Sequence, residues 1–121
     1  MIITRFAPSP TGLLHIGNLR TAIFNFLATR KGAGKFILRL DDTDSSRSKK
    51  EFVDQLKEDL NWIGIFWDQE FSQSDHIKRY DSIKKELMEM GRVYECFETP
   101  AELDLKRKKL LSMGRPPVYD R

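Results

Sequence analysis

The sequence predicts an α/β fold, a partial Rossmann-like parallel sheet flanked by helices. Residues 2–6 and 35–40 are short stretches of β-branched and other apolar side chains, which are typical of strands. A Pro/Gly loop and then apolar residues at helical spacing lie between them. The order strand, loop, helix, strand is that of a βαβ unit, whose two strands run parallel.

The first helix is predicted to begin at Ile16, after a loop over residues 7–14 that contains Pro8, Pro10 and Gly12. Gly32 and Gly34 should end it. Its predicted core face comprises Leu19, Ala22, Ile23, Phe26 and Leu27.

Ser48 and Glu51 have the spacing of a capping box, which predicts a second helix that ends at Gly64. Residues 66–68 are expected to be extended. A third helix is predicted over residues 75–90, a further strand over 93–97, and a fourth helix from Pro100 to residue 113. Trp62, Trp67 and Tyr80 sit among apolar neighbours and are expected to pack in the core, with stacking on nucleic acid as the alternative.

Bulk composition excludes several classes of protein. Cys96 is the only cysteine, so no internal disulfide can form, and a reducing compartment such as the cytoplasm is expected. No apolar run approaches the ~20 residues of a membrane span, and the first residues do not read as a signal peptide. We therefore expect no membrane association.

Charge is unevenly distributed along the chain. The first 40 residues contain six lysines and arginines and no acidic residue. This block favours an anionic ligand near the N-terminal elements. The alternative is that the block has no ligand and that charge varies by chance along short segments.

The start of the first helix is the strongest candidate site. Helix N-termini present free N–H groups and a positive dipole end to phosphates. Gly17 would let a nucleotide approach the backbone, and His15 could donate hydrogen bonds to phosphate oxygens. The alternative is a helix-capping loop with an incidental histidine.

Residues 5–12 (RFAPSPTG) and 14–18 (LHIGN) resemble the opening of bacterial-type glutamyl-tRNA synthetases, which are class I aminoacyl-tRNA synthetases. The class I signature His-Ile-Gly-His stands here as His-Ile-Gly-Asn, with Asn18 at its fourth position. Residues 36–44 (FILRLDDTD), 47–48 and 114–120 (GRPPVYD) resemble later family motifs. The resemblance covers essentially the whole chain.

The resemblance implies an N-terminal fragment of the enzyme. Residues 1–95 would form the N-terminal half of the nucleotide-binding catalytic domain, and residues 96–121 the start of an inserted acceptor-binding segment. The second class I signature, of the Lys-Met-Ser-Lys-Ser type, is not found in the chain. We expect the rest of the catalytic domain and the anticodon-binding domain to be missing, and the fragment alone to be inactive or nearly so.

The resemblance also implies roles for individual residues. Catalytic roles would belong to His15, Gly17 and Asn18, with His15 stabilising charge on the α-phosphate. The amino-acid pocket would comprise Arg5, Ala7, Ser9 and Asp41. The ATP-binding residues would be Ser9, Thr11, His15, Gly17 and Asn18. The tRNA acceptor end would approach Thr43, Asp44 and Arg47.

Asp41 departs from the family pattern. The family usually has glutamate there, where its carboxylate holds the α-ammonium of the substrate. Asp41 keeps the charge but is one methylene shorter, so it could bind through a water or a shifted strand. A turn-forming aspartate at a strand end is the alternative.

The implied activity is ATP-dependent activation of glutamate to glutamyl-adenylate and its transfer to tRNA(Glu). ATP would come with Mg²⁺, and a cytoplasmic monomer is expected. One alternative is a paralogue resembling the glutamyl-queuosine tRNA(Asp) synthetases, and another is a non-catalytic nucleotide- or tRNA-binding module. A glutaminyl enzyme fits residues 7–9 less well.

Two features of the C-terminal quarter have competing interpretations. Cys96 and Glu98 stand where many family members begin a zinc site, but one thiol and one carboxylate fall short of about four ligands. We therefore expect no bound zinc. The basic run of residues 106–109 is predicted to be a solvated helix surface, with acceptor-stem contact as the alternative.

Overall fold

The computed structural model describes residues 1–119, so the last two residues of the predicted acceptor-binding segment lie outside it. The backbone divides into two compact units, Met1–Ile83 and a second that begins at Lys84. A boundary near residue 95 stays a prediction. The elements are β1 (Ile3–Phe6), α1 (Ile16–Lys31), β2 (Lys35–Leu40), α2 (Lys50–Trp62), β3 (Gln69–Ser72), a 3-10 turn (Ser74–His76), α3 (Ile77–Glu89) and α4 (Pro100–Ser112).

Three parallel strands form the sheet, in the order β1-β2-β3. Phe6 lies beside Leu38, and Leu38 beside Glu70. The predicted α/β fold with a parallel sheet is confirmed, and the first two strands lie within one residue of their predicted bounds. Since all three strands end at one edge, their carboxyl ends meet where ligands bind in such sheets.

One face of the sheet carries the core of the first unit. Phe36, Leu38 and Leu40 alternate along β2 and are buried there, beside Phe6 of β1. Helices α1 and α2 cover this face with Ala22, Leu56 and Leu60, which are also buried. Alternation places Arg5, Ile37 and Arg39 on the opposite face.

The buried side of α1 differs from the predicted core face. Ala22 is fully buried, but Ile23 and Leu27 are 38% and 57% exposed, so their predicted core positions are wrong. Thr29 is buried instead. Its hydroxyl donates to the backbone oxygen of Asn25 at 2.9 Å and pairs with the hydroxyl of Thr4, which satisfies the buried polar group.

The predicted capping box of α2 is wrong. The N-cap of α2 is Lys49, and it makes no side-chain capping bond. The N–H of Ser48 instead bonds to the backbone oxygen of Asp44 at 2.8 Å, so Ser48 ends the preceding turn. The predicted end of α2 is confirmed, because Gly64 has a left-handed φ of 79° just after it.

The third strand lies just after the segment predicted to be extended, at Gln69–Ser72 rather than residues 66–68. Asp68 explains the shift, since its N–H bonds to the Phe36 oxygen and its carboxylate accepts from the Phe36 N–H at 2.7 Å. The strand predicted over 93–97 is wrong, because that segment has no regular secondary structure. Helices α3 and α4 confirm the last two predicted helices.

The three aromatic residues predicted in the core have different environments. Trp67 packs against the core, and its indole N–H donates to Glu70 at 3.0 Å. Trp62 is 87% exposed and Tyr80 is also exposed, so the core prediction is wrong for both. Within residues 1–119, every helix is too short or too polar to cross a bilayer.

Gly34 permits a close approach between the start of β2 and the residue before β1. A Cβ at this position would lie 1.8 Å from the backbone oxygen of Ile2. That oxygen accepts the N–H of Lys35 at 2.9 Å, at the beginning of the β1–β2 pairing. Any side chain at Gly34 would therefore force the two strands apart.

We expect Gly34→Ala to lower the free energy of unfolding by about 2–3 kcal/mol, because the methyl group clashes with backbone that is fixed by strand pairing. Urea denaturation followed by circular dichroism measures the change. Gly12→Ala is the matched control, since no atom lies within 4 Å of its added Cβ. Equal stability of the two variants would contradict the close approach.

Candidate functional site

A cavity of about 450 Å³ lies at the carboxyl end of β1, against the first turns of α1. Five residues predicted for the amino-acid and ATP sites line it together: Arg5, Ala7, Ser9, Thr11 and Asn18. The remaining lining residues are Phe6, Pro8 and Thr21. Sequence reasoning missed Thr21, although it lies three residues after Asn18 and so on the same side of α1.

Arg5 gives this cavity its electrostatic character. It is the one charged residue among those lining the cavity, and among residues 1–119 it has no ionic partner. An unpaired guanidinium at the wall of a cavity favours an anionic group, and its planar donors suit a carboxylate.

A larger cavity, of about 500 Å³, lies near the ends of β2 and β3. Its lining carries three lysines and three acidic residues, and Lys57 and Glu70 among them form an ion pair at 2.5 Å. Because these charges balance, this cavity has no comparable preference for an anion.

His15 is the N-cap of α1. Its Nδ1 accepts a hydrogen bond from the Gly17 N–H at 3.1 Å. In the neutral ring an accepting Nδ1 leaves the proton on Nε2, which is therefore a donor. No acidic residue occupies the first turn of α1, so its positive end is uncompensated there.

His15 is exposed but does not line the Arg5 cavity. It lines a neighbouring pocket of about 200 Å³, with residues of α1 and α2 that include Ile16 and Trp62. Asn18, one helical turn further on, lines the Arg5 cavity itself. The start of α1 therefore borders both spaces.

Gly17 contacts the imidazole of its own turn. A Cβ at this position would lie 3.0 Å from Cε1 of His15 and 3.1 Å from Nδ1. Glycine thus leaves room for the ring that caps the helix, in addition to the nucleotide approach predicted for it. The predicted catalytic roles of His15, Gly17 and Asn18 remain predictions.

Asp41 lies at the end of β2 and is held by Arg39. The Arg39 Nε donates to Asp41 Oδ1 at 2.7 Å, and Nη2 donates to Oδ2 at 2.9 Å. These hydrogen bonds from its side chain to Asp41 raise the pKa of Arg39, against the opposing effect of burial. The Asp41 N–H bonds to the Pro8 oxygen at 2.9 Å, so Asp41 adjoins the cavity wall without being one of its lining residues.

The residues predicted to meet the tRNA acceptor end lie on the turn after β2. The Asp44 carboxylate accepts the Ser46 hydroxyl at 2.7 Å and the Arg47 Nε at 2.6 Å. These bonds lower the pKa of Asp44 to about 2, with the Ser46 hydroxyl the largest cause. Thr43 is exposed on the same turn.

Asp42 orders the approach to α3, a role that sequence reasoning missed. Its two carboxylate oxygens accept the Ser74 N–H at 2.9 Å and the Ser74 hydroxyl at 2.6 Å. Burial raises the pKa of Asp42, but the hydrogen bonds from Ser74 outweigh it and the net shift is downward.

In the second unit, Glu98 accepts hydrogen bonds from three side chains. The Lys106 ammonium lies 2.7 Å away, the Cys96 thiol 3.0 Å and the Tyr119 hydroxyl 2.9 Å. Lys106 is the main cause of a Glu98 pKa of about 2. Across residues 1–119 no group of three or more His, Cys, Asp or Glu could hold a metal ion; the expected lack of zinc remains a prediction.

The basic run on α4 is partly paired. Besides Lys106 with Glu98, the Lys108 ammonium lies 2.7 Å from the Asp104 carboxylate one helical turn away. Such exposed pairs contribute little to stability. The pairing is compatible with the solvated surface predicted for this helix.

Comparisons with known proteins agree on one family. The family described as "tRNA synthetases class I (E and Q), catalytic domain" matches residues 1–121. The chain is 61% identical over 121 residues to glutamate–tRNA ligase 1 of Ruegeria pomeroyi, and 62% identical over 121 residues to glutamate–tRNA ligase 1 of Roseobacter denitrificans. Each alignment covers 100% of this chain and 27% of the relative, so the chain spans about a quarter of their length.

Solved structures give the same result. A glutamate–tRNA ligase from Elizabethkingia meningosepticum, solved in complex with its amino acid, matches with a TM-score of 0.80 and 32% identity. A glutamate–tRNA synthetase from Elizabethkingia anophelis matches with a TM-score of 0.83 and 32% identity. Both alignments cover 98% of this chain and 26% of the solved chain.

The turn after β2 gives a pH-dependent prediction. The pKa of Asp44 in the folded chain, about 2, lies below its ordinary value of 3.8, so its ionised form favours the folded turn. That stabilisation is complete above 3.8 and is lost as the pH falls through about 2. We expect Ser46→Ala to raise the Asp44 pKa toward its ordinary value, as measured by carbon-13 NMR of the carboxyl group.

Ser45→Ala is the control for this measurement, because Ser45 makes no hydrogen bond to Asp44. A pKa that moved equally in both variants would show that Ser46 is not its main cause.

Proposed function

Because the chain belongs to the class I tRNA synthetases of the E and Q type, we propose that it carries the glutamate and ATP entry site of a glutamate–tRNA ligase. The unpaired Arg5 in a cavity beside the start of α1 carries this proposal. It combines a carboxylate-binding group with a phosphate-binding helix end. Relatives at 61–62% identity bear the name glutamate–tRNA ligase, which favours glutamate over glutamine.

In this proposal the amino acid lies in the Arg5 cavity. Arg5 pairs with the side-chain carboxylate of glutamate, which selects an acidic amino acid. Ala7 and Ser9 line the wall beside it. Asp41, at the adjoining end of β2, attracts the α-ammonium group.

ATP lies across the start of α1, near Ser9, Thr11 and Asn18. The helix N-terminus and the Nε2–H of His15 stabilise the negative charge that grows on the α-phosphate when the α-carboxylate of glutamate attacks it. The bond to the β-phosphate breaks, pyrophosphate leaves, and glutamyl-adenylate forms. Magnesium accompanies ATP and neutralises its phosphates.

Transfer of glutamate to tRNA(Glu) follows, with the acceptor end approaching the turn that carries Thr43, Asp44 and Arg47. The segment from residue 96 is the start of an insertion that binds the acceptor arm, and a cytoplasmic monomer without zinc is proposed. Arg47 is already bonded to Asp44, so any contact it makes with tRNA uses its remaining donors.

Arg5→Gln tests the amino-acid pocket. We expect it to weaken glutamate binding at least about tenfold, since a charge-assisted carboxylate contact is lost. Saturation-transfer NMR on the 121-residue chain detects binding at the millimolar affinities expected of a partial pocket. Arg20→Gln is the control, because Arg20 is exposed and packs over the Phe24 ring outside the cavity. Equal weakening by both variants would rule out the pocket.

Two substitutions of His15 separate its capping and phosphate roles. His15→Asn can retain a cap to the helix, but its amide N–H lies nearer the backbone than Nε2 of His15 and does not reach the α-phosphate, whereas His15→Ala loses both the cap and the donor. In the complete gene product that contains this chain, we expect both variants to slow glutamate-dependent ATP–pyrophosphate exchange about 100-fold or more. Only His15→Ala should lower thermal stability.

His76→Ala is the matched control for the exchange assay, since His76 lies against Phe71 and Tyr80. Undiminished exchange in His15→Asn would confine His15 to a capping role.

A further inference from the structure

We propose that Thr21, Asn25 and Thr29 are positioning residues, which join the first turn of α1 to β1 by a ladder of hydrogen bonds. The ladder fixes the phosphate-binding end of α1 relative to Arg5, which follows Thr4 in β1. This inference rests on the proposed function, because it concerns how the two proposed binding sites are held at the right separation.

Each of the three side chains donates to the backbone oxygen four residues before it. The Thr21 hydroxyl lies 3.3 Å from the Gly17 oxygen, and the Asn25 amide nitrogen lies 2.9 Å from the Thr21 oxygen. The Thr29 hydroxyl lies 2.9 Å from the Asn25 oxygen. Residues spaced by four lie along one edge of a helix, so these bonds form a line along α1.

Thr4 connects the ladder to β1. Its hydroxyl lies 2.9 Å from the Asn25 oxygen that Thr29 also reaches, and the two hydroxyls pair with each other. Thr29 is fully buried, so solvent does not compete for its hydroxyl. Since Thr4 is held in the β1–β2 pairing beside Phe36, the ladder is attached to the sheet itself.

The other end of the ladder lies at the proposed phosphate site. Gly17, whose oxygen accepts the Thr21 hydroxyl, donates its own N–H to Nδ1 of His15 at 3.1 Å. Thr21 and Asn18 also line the Arg5 cavity. The line of hydrogen bonds therefore runs from the imidazole proposed to meet the nucleotide to the strand residue that precedes Arg5.

The ladder has a geometric value that helix stability does not explain. A side chain that donates to the carbonyl four residues back tends to destabilise a helix slightly, so stability alone does not account for three such bonds in a row. Adenylate formation requires the α-carboxylate of glutamate to reach the α-phosphate, and a misplacement of about 1 Å can slow such a step about 100-fold. A fixed separation between Arg5 and His15 therefore speeds the chemical step without strengthening the binding of either substrate.

Asn25→Ala tests the ladder, because it removes the middle bond and introduces the residue with the highest helix propensity. In the complete gene product that contains this chain, we expect kcat of glutamate-dependent ATP–pyrophosphate exchange to fall about tenfold. The KM values for glutamate and ATP should stay within about twofold, since the groups that bind them are retained. The midpoint of thermal unfolding should not fall.

Two double variants test the attachment to β1. Thr4→Val/Thr29→Val removes both hydroxyls but retains the shape of the side chains, and should also lower kcat about tenfold. Thr4→Ser/Thr29→Ser keeps both hydroxyls, and its kcat should lie within about threefold of that of the unmodified protein. Ile65→Val is the control for a loss of stability, because Ile65 is buried outside the ladder and its substitution should leave kcat unchanged.

Three results would overturn the inference. If Asn25→Ala and Thr4→Val/Thr29→Val both kept kcat within about twofold of the unmodified protein, the ladder would position nothing. A loss confined to KM would assign these residues to substrate binding instead. Equal loss in the serine and valine variants would show that altered packing, rather than the hydroxyls, is responsible. If the unmodified gene product showed no glutamate-dependent exchange, the proposed function would fail, and this inference with it.

Discussion

The parallel pairing of β1 with β2 is the constraint on which the candidate site depends. It sets Arg5 beside Ile37 and brings the loop after β1 against the end of β2, where the Asp41 N–H bonds to Pro8. Gly34 makes this pairing possible, because no side chain fits between β2 and the Ile2 carbonyl. A residue with no functional group thus determines where the charged groups of the site lie.

The carboxylates at and after the end of β2 are held by other side chains, whereas the arginine of the cavity is not. Asp41 is held by Arg39, Asp44 by Arg47 and Ser46, and Asp42 by Ser74. Arg5 remains without an ionic partner among residues 1–119, beside a helix end that carries no acid in its first turn. The anion preference of the cavity follows from this selective pairing rather than from the small net charge of the chain.

Local signals in the sequence were enough to predict β1, β2 and the helices. The family resemblance, rather than these signals, implied site roles for Arg5, Ala7, Ser9, Thr11 and Asn18, which line one cavity. Local signals failed where the local structure depends on residues that are distant in the sequence. Residues 69–72 are polar except for Phe71, yet they form β3 because β2 lies beside them. Ser48 has the pattern of a helix cap, but a preceding turn uses its backbone. The Arg39–Asp41 pair forms because both side chains lie on the same face of the sheet, and no short sequence motif predicts this pairing.

The His15 cap has a consequence for the tautomer of the imidazole ring. One imidazole nitrogen serves the helix and the other is proposed to serve the nucleotide, and the first task requires a lone pair on Nδ1. A proton on Nδ1 in place of Nε2 would leave no lone pair for the Gly17 amide, and the first turn of α1 would lose its cap. Only the tautomer that carries its proton on Nε2 can therefore cap the helix and present an N–H group to a ligand at the same time.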